Sequence, residues 1–302
     1  MTPAAIMLLI VSAFIHATWN LIGKREEPSP RFFLAANMVG VVCLSPVALA
    51  HLNLPGRFPA EVWLLVAITG LFQAVYFTGL AGAYRAGHLS VAYPLARSAP
   101  VVIVAAVTAL MGKAHQLTPC SVVGMVLVAI GGLLLPIGRF TDWKLRDYFH
   151  ASTLFALMAA VGTSGYSIVD DSALRVLRET VSMGAGRAAL TLTYAFFEGI
   201  STSLWLGAFV LLGRRSAIDS AKPMRHRAAS AALAGLGICL AYVIVLLAMT
   251  FAKNVSYVVA FRQLSIPIGA VLGVTVLREP RNTAKLAGVA IMLVGLVLVA
   301  LC

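Results

Sequence analysis

Six ionisable side chains interrupt otherwise long apolar segments of this sequence. An ionisable group inside lipid costs at least ~2.5–3.5 kcal/mol at the centre of a helix, so each one needs a partner or a water-filled cavity. These positions are therefore where chemistry can occur. They are Arg97, Glu198 and Arg262 deep in their segments, His16 in the first segment, and Asp170 and Asp171, which we expect to close the sixth.

The two deep arginines, Arg97 and Arg262, each precede a proline or a polar break by a few residues. A guanidinium keeps its charge and donates two parallel hydrogen bonds to a carboxylate or a phosphate. One hypothesis is that both side chains hold an anionic substrate from opposite walls of a central cavity. The alternative is that they pair with Glu198, Asp170 or helix-end carbonyls and only hold helices together.

The carboxyl groups of Glu198 and Asp170 are candidates for coupling transport to a proton, because a carboxyl in a low-dielectric setting retains a proton more readily. Either group could also face the ammonium of a zwitterionic substrate. The alternative for Glu198 is an interhelical hydrogen bond or an ion pair with an arginine.

Aromatic and amide side chains complete the candidate substrate site. Aromatic rings combine an apolar face with a polar tip, as small-molecule pockets need. The alternatives are anchors at the membrane interface, which we favour for Tyr93 and Tyr257, and interhelical hydrogen bonds for the amides. Besides the arginines, the candidates are Trp19, Asn20, Gln73, Tyr76, Tyr166, Tyr242 and Gln263.

The elements that carry these residues are ten apolar segments of lipid-spanning length. About 20 apolar residues cross the hydrocarbon as a helix, and the runs are continuous rather than alternating, which excludes a β-barrel. The first segment lacks a basic start and a cleavage pattern, so we expect it to be retained. The segments cover 4–22, 32–52, 60–83, 90–111, 119–137, 151–170, 188–212, 229–252, 256–277 and 284–302.

Composition agrees with a protein embedded in the lipid bilayer. Apolar residues make up 60% of the 302 positions and charged residues 11%, against roughly 45–50% and about 25% in soluble proteins. The net charge of +12 is scattered over the connections, which indicates membrane orientation rather than nucleic-acid binding. The four cysteines show no paired spacing, so we expect neither a disulfide nor a metal, and no cofactor motif is present.

The second half of the chain repeats the first, which predicts two five-helix units over 1–140 and 141–302. Because five is an odd number, the second unit enters the membrane from the opposite side, and such inverted repeats are typical of secondary transporters. The matched pairs are Arg97 with Arg262, Lys113 with Arg278 and Thr118 with Thr283 at 165 positions, Gly124 with Gly288 and Gly131 with Gly295 at 164, and Trp19 with Tyr166 at 147.

The chain resembles the EamA-type branch of the drug/metabolite transporter superfamily. The resemblance is carried by the proline-containing fourth helix through Pro100, by Leu277-Arg278-Glu279 followed by Thr283, and by the glycine-rich fifth and tenth helices. The chain departs from the family's turn after helix four, where 112–118 lacks the glutamate, and after helix nine, where Pro280 follows Glu279.

The resemblance implies a ten-helix bundle whose central cavity is lined mainly by helices 1, 3, 4, 6, 8 and 9, with helix seven at the periphery. It implies alternating access and export of small metabolites, such as amino acids or other carboxylate- or phosphate-bearing solutes. It further implies a multi-pass protein of the bacterial inner membrane that is a monomer or a weak homodimer.

Two questions stay open at this point. An intramembrane transferase acting on a lipid-borne substrate is the alternative function, with Asp170-Asp171 near Arg175 and Arg178 as its acidic and basic groups. The orientation is the second question. Ten spans place both termini on one side, where the connections hold six basic residues against fifteen on the other side. This bias favours termini outside, whereas the resemblance implies termini in the cytoplasm.

Overall fold

A computed structural model describes residues 2–24, 29–85, 89–134, 151–181, 186–212, 227–275 and 283–301. Within these ranges every regular element is helical. Seven helices are long and apolar enough to cross a membrane, and two shorter apolar helices accompany them. Large apolar side chains such as Leu110 and Leu211 lie exposed on the outer surface, as expected for a multi-pass membrane protein whose surface meets lipid.

Eleven α-helices make up the described part of the chain. They are α1 (Pro3–Lys24), α2 (Pro30–Ala50), α3 (Ala60–Arg85), α4 (Leu89–Thr108), α5 (Pro119–Leu134), α6 (Ala151–Val181), α7 (Arg187–Leu212), α8 (Ala228–Met249), α9 (Val255–Arg262), α10 (Ser265–Thr275) and α11 (Thr283–Leu301). Short single turns at Pro55–Arg57, Ala109–Lys113 and Ala114–Gln116 connect α2 to α3 and α4 to α5.

The ninth predicted segment is divided into α9 and α10. Pro267 has no N–H to donate to the carbonyl of Gln263, the residue four positions earlier. The Ile266 N–H donates to that carbonyl instead, at 2.8 Å, and Leu264 donates to Phe261 at 3.0 Å. These tighter bonds replace the α-helical pattern, so the helix is interrupted at the position next to Arg262.

The prediction that Asp170 and Asp171 close the sixth helix is wrong. Helix α6 continues to Val181, because the following residues include neither glycine nor proline. They also present buried apolar side chains at Leu174 and Leu177. Asp170 is therefore an interior residue of a long helix. At 1.5 Å per residue, 31 residues span about 46 Å, which is more than the ~30 Å hydrocarbon layer.

Glycines allow the closest helix contacts, which occur between α3 and α6. A Cβ on Gly79 would lie 2.7 Å from the backbone nitrogen of Ala159, and one on Gly162 would lie 2.6 Å from that of Tyr76. The two helices thus pack backbone to backbone over two turns. The other main packing partners are α1 with α8, α2 with α7 and α5 with α11.

Helix α7 is the least buried of the seven spanning helices, in line with the peripheral place that the resemblance implied, but one of its faces is buried in the bundle. It packs against both α2 and α3. Its side chains Tyr194 and Glu198 are buried, with Glu198 only 2% exposed. The reason is its polar stripe: Thr191, Tyr194, Glu198 and Thr202 recur every three or four residues on one face, and that face turns away from lipid.

The expectation that the cysteines form no disulfide is wrong, and several other expectations concern residues outside the described ranges. Cys43 and Cys239 are free thiols, but Cys120 is disulfide-bonded, so the sequence spacing was no guide to pairing. The junction of the two predicted repeats near 138–150 and the family-like turn at 277–280 also lie outside the described ranges, as does the side chain of Tyr93.

Candidate binding cavity

A cavity of about 70 Å³ lies between α1, α2, α3, α6, α7, α8 and α9. That volume is several times the ~10–15 Å³ that one water requires. Among the α4 residues whose side chains the structure describes, from Ala96 onward, none lines the cavity. Helices α2 and α7 do contribute to the lining, and they are not in the set of helices that the resemblance implied. The polar and aromatic lining consists of Ser12, His16, Trp19, Asn37, Gln73, Tyr76, Phe77, Tyr166, Glu198, Cys239, Tyr242 and Arg262.

Arg262 supplies a positive charge to the cavity wall. It is the last residue of α9, at the helix break, and only 9% exposed. Its Nη2 donates to the Tyr166 hydroxyl at 3.1 Å. The guanidinium carbon lies 5.7 Å from the ring centres of both Tyr166 and Tyr242, within the range of a cation–π interaction. Nη1 is buried and has no hydrogen-bond partner within the described residues.

His16 contributes a second unused nitrogen to the same cavity. The indole N–H of Trp19 donates to His16 Nδ1 at 3.3 Å, and the two rings meet edge to face. A nitrogen that accepts this bond carries no proton, so a neutral His16 holds its proton on Nε2. Nε2 is buried without a partner in the described part of the chain. Arg262 and His16 thus both have an N–H free for an acceptor.

Asp170 lies behind the lining and is held by hydroxyl groups rather than by a cation. It is completely buried. Thr69 and Tyr194 donate to its Oδ1 at 2.6 and 2.7 Å, and the Tyr242 hydroxyl donates to Oδ2. Because the Tyr242 ring also contacts Arg262, this tyrosine connects the buried carboxyl to the cation on the cavity wall.

Glu198 supplies an acidic group to the lining itself. The side-chain amide of Gln73 donates to Glu198 Oε1, and Thr202 donates to the amide oxygen of Gln73 at 3.3 Å. These contacts join α3 and α7 and fix the carboxyl at the cavity. The cavity therefore carries both an acidic group and a cationic group, and no ion pair between Arg262 and Glu198 or Asp170 occurs among the described residues.

Arg97 has a different environment from Arg262. It is 5% exposed and is absent from the cavity lining. Its Nη2 donates to Ser265 Oγ at 2.6 Å, and Ser265 Oγ donates in turn to the carbonyl of Arg262 at 3.1 Å. Arg97 therefore bonds to the helix break that carries Arg262, and the clamp of two arginines stays a prediction.

The remaining candidates divide into lining and non-lining residues. Trp19, Gln73, Tyr76, Tyr166 and Tyr242 line the cavity. The other two amides bond to the backbone of their own helices and are not among the lining residues. These bonds run from Asn20 Nδ2 to the carbonyl of His16 at 2.8 Å and from Gln263 Nε2 to that of Val259 at 3.0 Å.

Tyr257 is not an interface anchor, which corrects the sequence prediction. Its side chain is buried, and its hydroxyl donates to the carbonyl of Gln116 at 3.2 Å. The hydroxyl thus joins the start of α9 to the turn before α5.

Several polar residues of the site were missed by the sequence analysis. Ser12 and Asn37 line the cavity and bond to neighbouring helices: Ser12 Oγ donates to the carbonyl of Ala241 at 2.7 Å, and Asn37 Nδ2 to that of Gly199 at 2.8 Å. Tyr194 and Thr69 hold Asp170. The spacing of Tyr194, four residues before Glu198, was a usable signal, because such residues share one helix face.

Comparison with known proteins bears on the fold alone. No protein-family model matches the chain, and no curated protein does. A solved structure described as "Crystal structure of protein" aligns with a TM-score of 0.69 and 20% sequence identity, over 100% of this chain and 98% of its own. At that identity the likeness shows that the chain shares the fold of a solved protein over its whole length.

Proposed function

We propose that the chain is a secondary transporter of the EamA type, within the drug/metabolite transporter superfamily, and that it moves a small carboxylate- or phosphate-bearing metabolite by alternating access. The single observation that carries this proposal is the buried Arg262 on the cavity wall, whose Nη1 lacks a partner among the described residues. A buried cation with a spare donor is stabilised by an anionic ligand.

The helix contacts support the proposed inverted repeat. The glycines matched in sequence as equivalents, Gly124 with Gly288 and Gly131 with Gly295, meet crosswise. A Cβ on Gly124 would lie 2.7 Å from the carbonyl of Gly295, and one on Gly131 would lie 2.7 Å from the carbonyl of Gly288. A two-fold axis requires such reciprocity, because if one residue contacts a second, their equivalents must also meet.

The same relation accounts for the other helix pairs. If α1 to α3 correspond to α6 to α8, the contact of α1 with α8 is equivalent to that of α3 with α6, and α2 with α7 lies on the axis. We infer that both units build one cavity between them, as in transporters with inverted repeats. The helix break beside Arg262 would then supply the flexible point for alternating access.

The polar groups suggest how a substrate binds. Arg262 and the Nε2–H of His16 would hold the anionic group, and Glu198 would face an ammonium if the substrate is a zwitterion. Glu198 and Asp170 remain the candidates for proton coupling. A cavity of about 70 Å³ favours a small solute in this conformation.

The direct test is reconstitution into liposomes with radiolabelled small carboxylates, phosphates and amino acids. We expect at least one solute to be taken up chemically unchanged, and recovery of only a modified product would contradict the proposal. A thermal-stability screen of the purified protein against the same solutes identifies which to use, because a ligand of the folded state raises its Tm.

Cys239 offers an independent measurement of binding, because it is a free thiol that lines the cavity. In a Cys43→Ser background, a bound solute should slow the reaction of a small maleimide with Cys239. A Cys43→Ser/Cys239→Ser protein is the matched control for reaction elsewhere. Unchanged kinetics with a solute that raises Tm would place binding outside this cavity.

No specific observation favours the transferase alternative. Its adjacent carboxyls do not form one site: Asp170 is held by Thr69, Tyr194 and Tyr242, whereas Asp171 pairs with Arg175 at 3.0 Å.

A further inference from the structure

Four basic residues lie close together near the last turns of α6, two of them beside the buried carboxylate of Asp171. Arg175 Nη2 lies 3.0 Å and Lys113 Nζ 3.9 Å from Oδ2 of Asp171, whose side chain is 4% exposed. Arg178 interacts electrostatically with Asp171, Arg175, Arg187 and Glu179. We call Lys113, Arg175, Arg178 and Arg187 the α6-end cluster. Its four positive charges exceed the two negative charges of Asp171 and Glu179, which leaves a net charge of +2.

Two nitrogens of the cluster lack an acceptor among the residues that the structure describes. Nε of Arg175 and Nη1 of Arg178 are buried atoms without a hydrogen-bond partner within the described residues. Arginines near a helix C-terminus often donate to its last carbonyls, but these two nitrogens do not. Arg187 is exposed, and its guanidinium lies 5.4 Å from the centre of the Phe251 ring. The cluster thus combines excess positive charge and unused donors with guanidinium groups that are partly accessible, the Arg175 side chain being 36% exposed, so that an anion outside the protein can contact them.

The depth of the cluster in the membrane identifies which acceptor is available. Helix α6 spans about 46 Å, so its final turns extend beyond the ~30 Å hydrocarbon layer and into the headgroup region. Lys113 reaches the same level because it closes the turn Ala109–Lys113 that follows α4, in which Gly112 has a φ of 79°. Glycine readily adopts this left-handed conformation at a helix end. Phospholipid phosphates lie at this depth.

We propose that the α6-end cluster binds the phosphate group of an anionic phospholipid. A phosphate oxygen accepts charge-assisted hydrogen bonds from guanidinium groups, and an anionic lipid retains its negative charge whereas a zwitterionic lipid balances it with an ammonium. The site is separate from the cavity, since none of its four basic residues lines that cavity.

The experiment titrates short-chain phosphatidylglycerol into detergent-solubilised protein and follows Tm. We expect phosphatidylglycerol to raise the Tm of the wild type saturably and phosphatidylcholine to have little effect. For Arg178→Gln the half-saturating concentration should be about fivefold higher, because one basic residue at an anionic surface contributes about 1 kcal/mol. Arg57→Gln is the matched control, because Arg57 is an exposed arginine between α2 and α3, on the same side of the membrane by chain connectivity.

A second variant keeps the test decisive if Arg178→Gln fails to fold. Glu179 is exposed, so Glu179→Gln should fold normally. It removes a competing negative charge and should lower the half-saturating concentration severalfold. A third titration uses inorganic phosphate in place of the lipid. An increase in Tm with phosphatidylglycerol but not with inorganic phosphate supports the proposal. Equal stabilisation by inorganic phosphate that also depends on Arg178 would overturn the lipid as ligand. Titrations unaffected by either substitution would overturn the site.

Discussion

Arg97 and Arg262 occupy matched positions of the two sequence repeats, yet they have different surroundings. Each has one buried N–H without a partner among the described residues, Nη1 of Arg262 and Nε of Arg97. Only Arg262 lines the cavity, where two tyrosines contact it. Arg97 lies outside the lining and bonds to Ser265, which bonds to the backbone of Arg262. The comparison indicates that the two arginines have separate tasks. We infer that Arg262 binds the substrate and that Arg97 is a positioning residue for the helix break.

The largest expected effect is at Arg262. Arg262→Ala should weaken binding of an anionic substrate about 10–100-fold, because a hydrogen bond to a charged group is worth about 1.5–3 kcal/mol. Arg262→Lys keeps the charge but loses the forked geometry, so it should impair binding nearly as much. Substrate affinity measured by Cys239 protection is the readout. A folded Arg262→Ala protein that transports an anion at the wild-type rate would end the proposed role.

Arg97→Ala should lower stability more than affinity. It removes a buried charge-assisted bond to Ser265, and we expect about 2–3 kcal/mol of destabilisation. Thermal unfolding in detergent measures the loss, and the affinity for substrate at a temperature where the variant is folded should change less than threefold. If Arg97→Ala instead weakens binding as much as Arg262→Ala at unchanged Tm, the two-arginine clamp is correct and the division of tasks is not.

Tyr166→Phe tests whether the Tyr166 hydroxyl orients the guanidinium of Arg262. The substitution removes the hydroxyl that accepts from Arg262 Nη2 and keeps the ring. A net contribution of about 0.5–1.5 kcal/mol per hydrogen bond predicts a decrease in substrate affinity of up to about tenfold, because the guanidinium is held less firmly. Trp19→Phe is the corresponding variant for His16, because it removes the indole N–H that donates to His16 and leaves the Tyr166 hydroxyl in place. Substrate affinity identical to wild type for Tyr166→Phe would show that the guanidinium needs no such orientation.

The smallest effect is expected at Ser265. Ser265→Ala removes the hydroxyl between Arg97 and the Arg262 carbonyl and should cost about 1 kcal/mol of stability. In the double variant with Arg97→Ala, the two losses should not add, because both substitutions break the same connection. A double-mutant cycle from unfolding measurements tests this. Strict additivity would mean that Arg97 acts through another contact.

The glycine contacts and the interrupted helix differ in how well the local sequence predicts them. Gly79 and Gly162 can be predicted as close-packing positions, because small residues in lipid-spanning helices let two backbones approach each other. A Cβ placed at either position would lie less than 3 Å from the backbone of the facing helix. The break after Arg262 was foreseen only as a polar or proline position. Its location depends on which carbonyl Pro267 leaves unpaired and how Ile266 replaces that bond.

The candidate site was only partly predictable. Five of the seven aromatic and amide candidates do line the cavity, because a polar tip inside an apolar span must turn away from lipid. Asn20 and Gln263 bond instead to carbonyls four residues earlier in the chain. A sequence cannot distinguish these outcomes, since both satisfy the same side chain at nearly equal free energy.

The sequence by itself determined the helical membrane class and most of the buried ionisable residues, because hydrophobic length and the free-energy cost of charge in lipid are properties of each segment alone. It did not indicate that Arg227, just before α8, is also buried. Tertiary structure decided which of these residues face the cavity. Asp170 and Asp171 are neighbours in sequence, yet one meets hydroxyls from α3, α7 and α8 and the other meets the basic residues at the end of α6. The direction in which each side chain points relative to distant helices follows from packing between segments, and no local pattern encodes it.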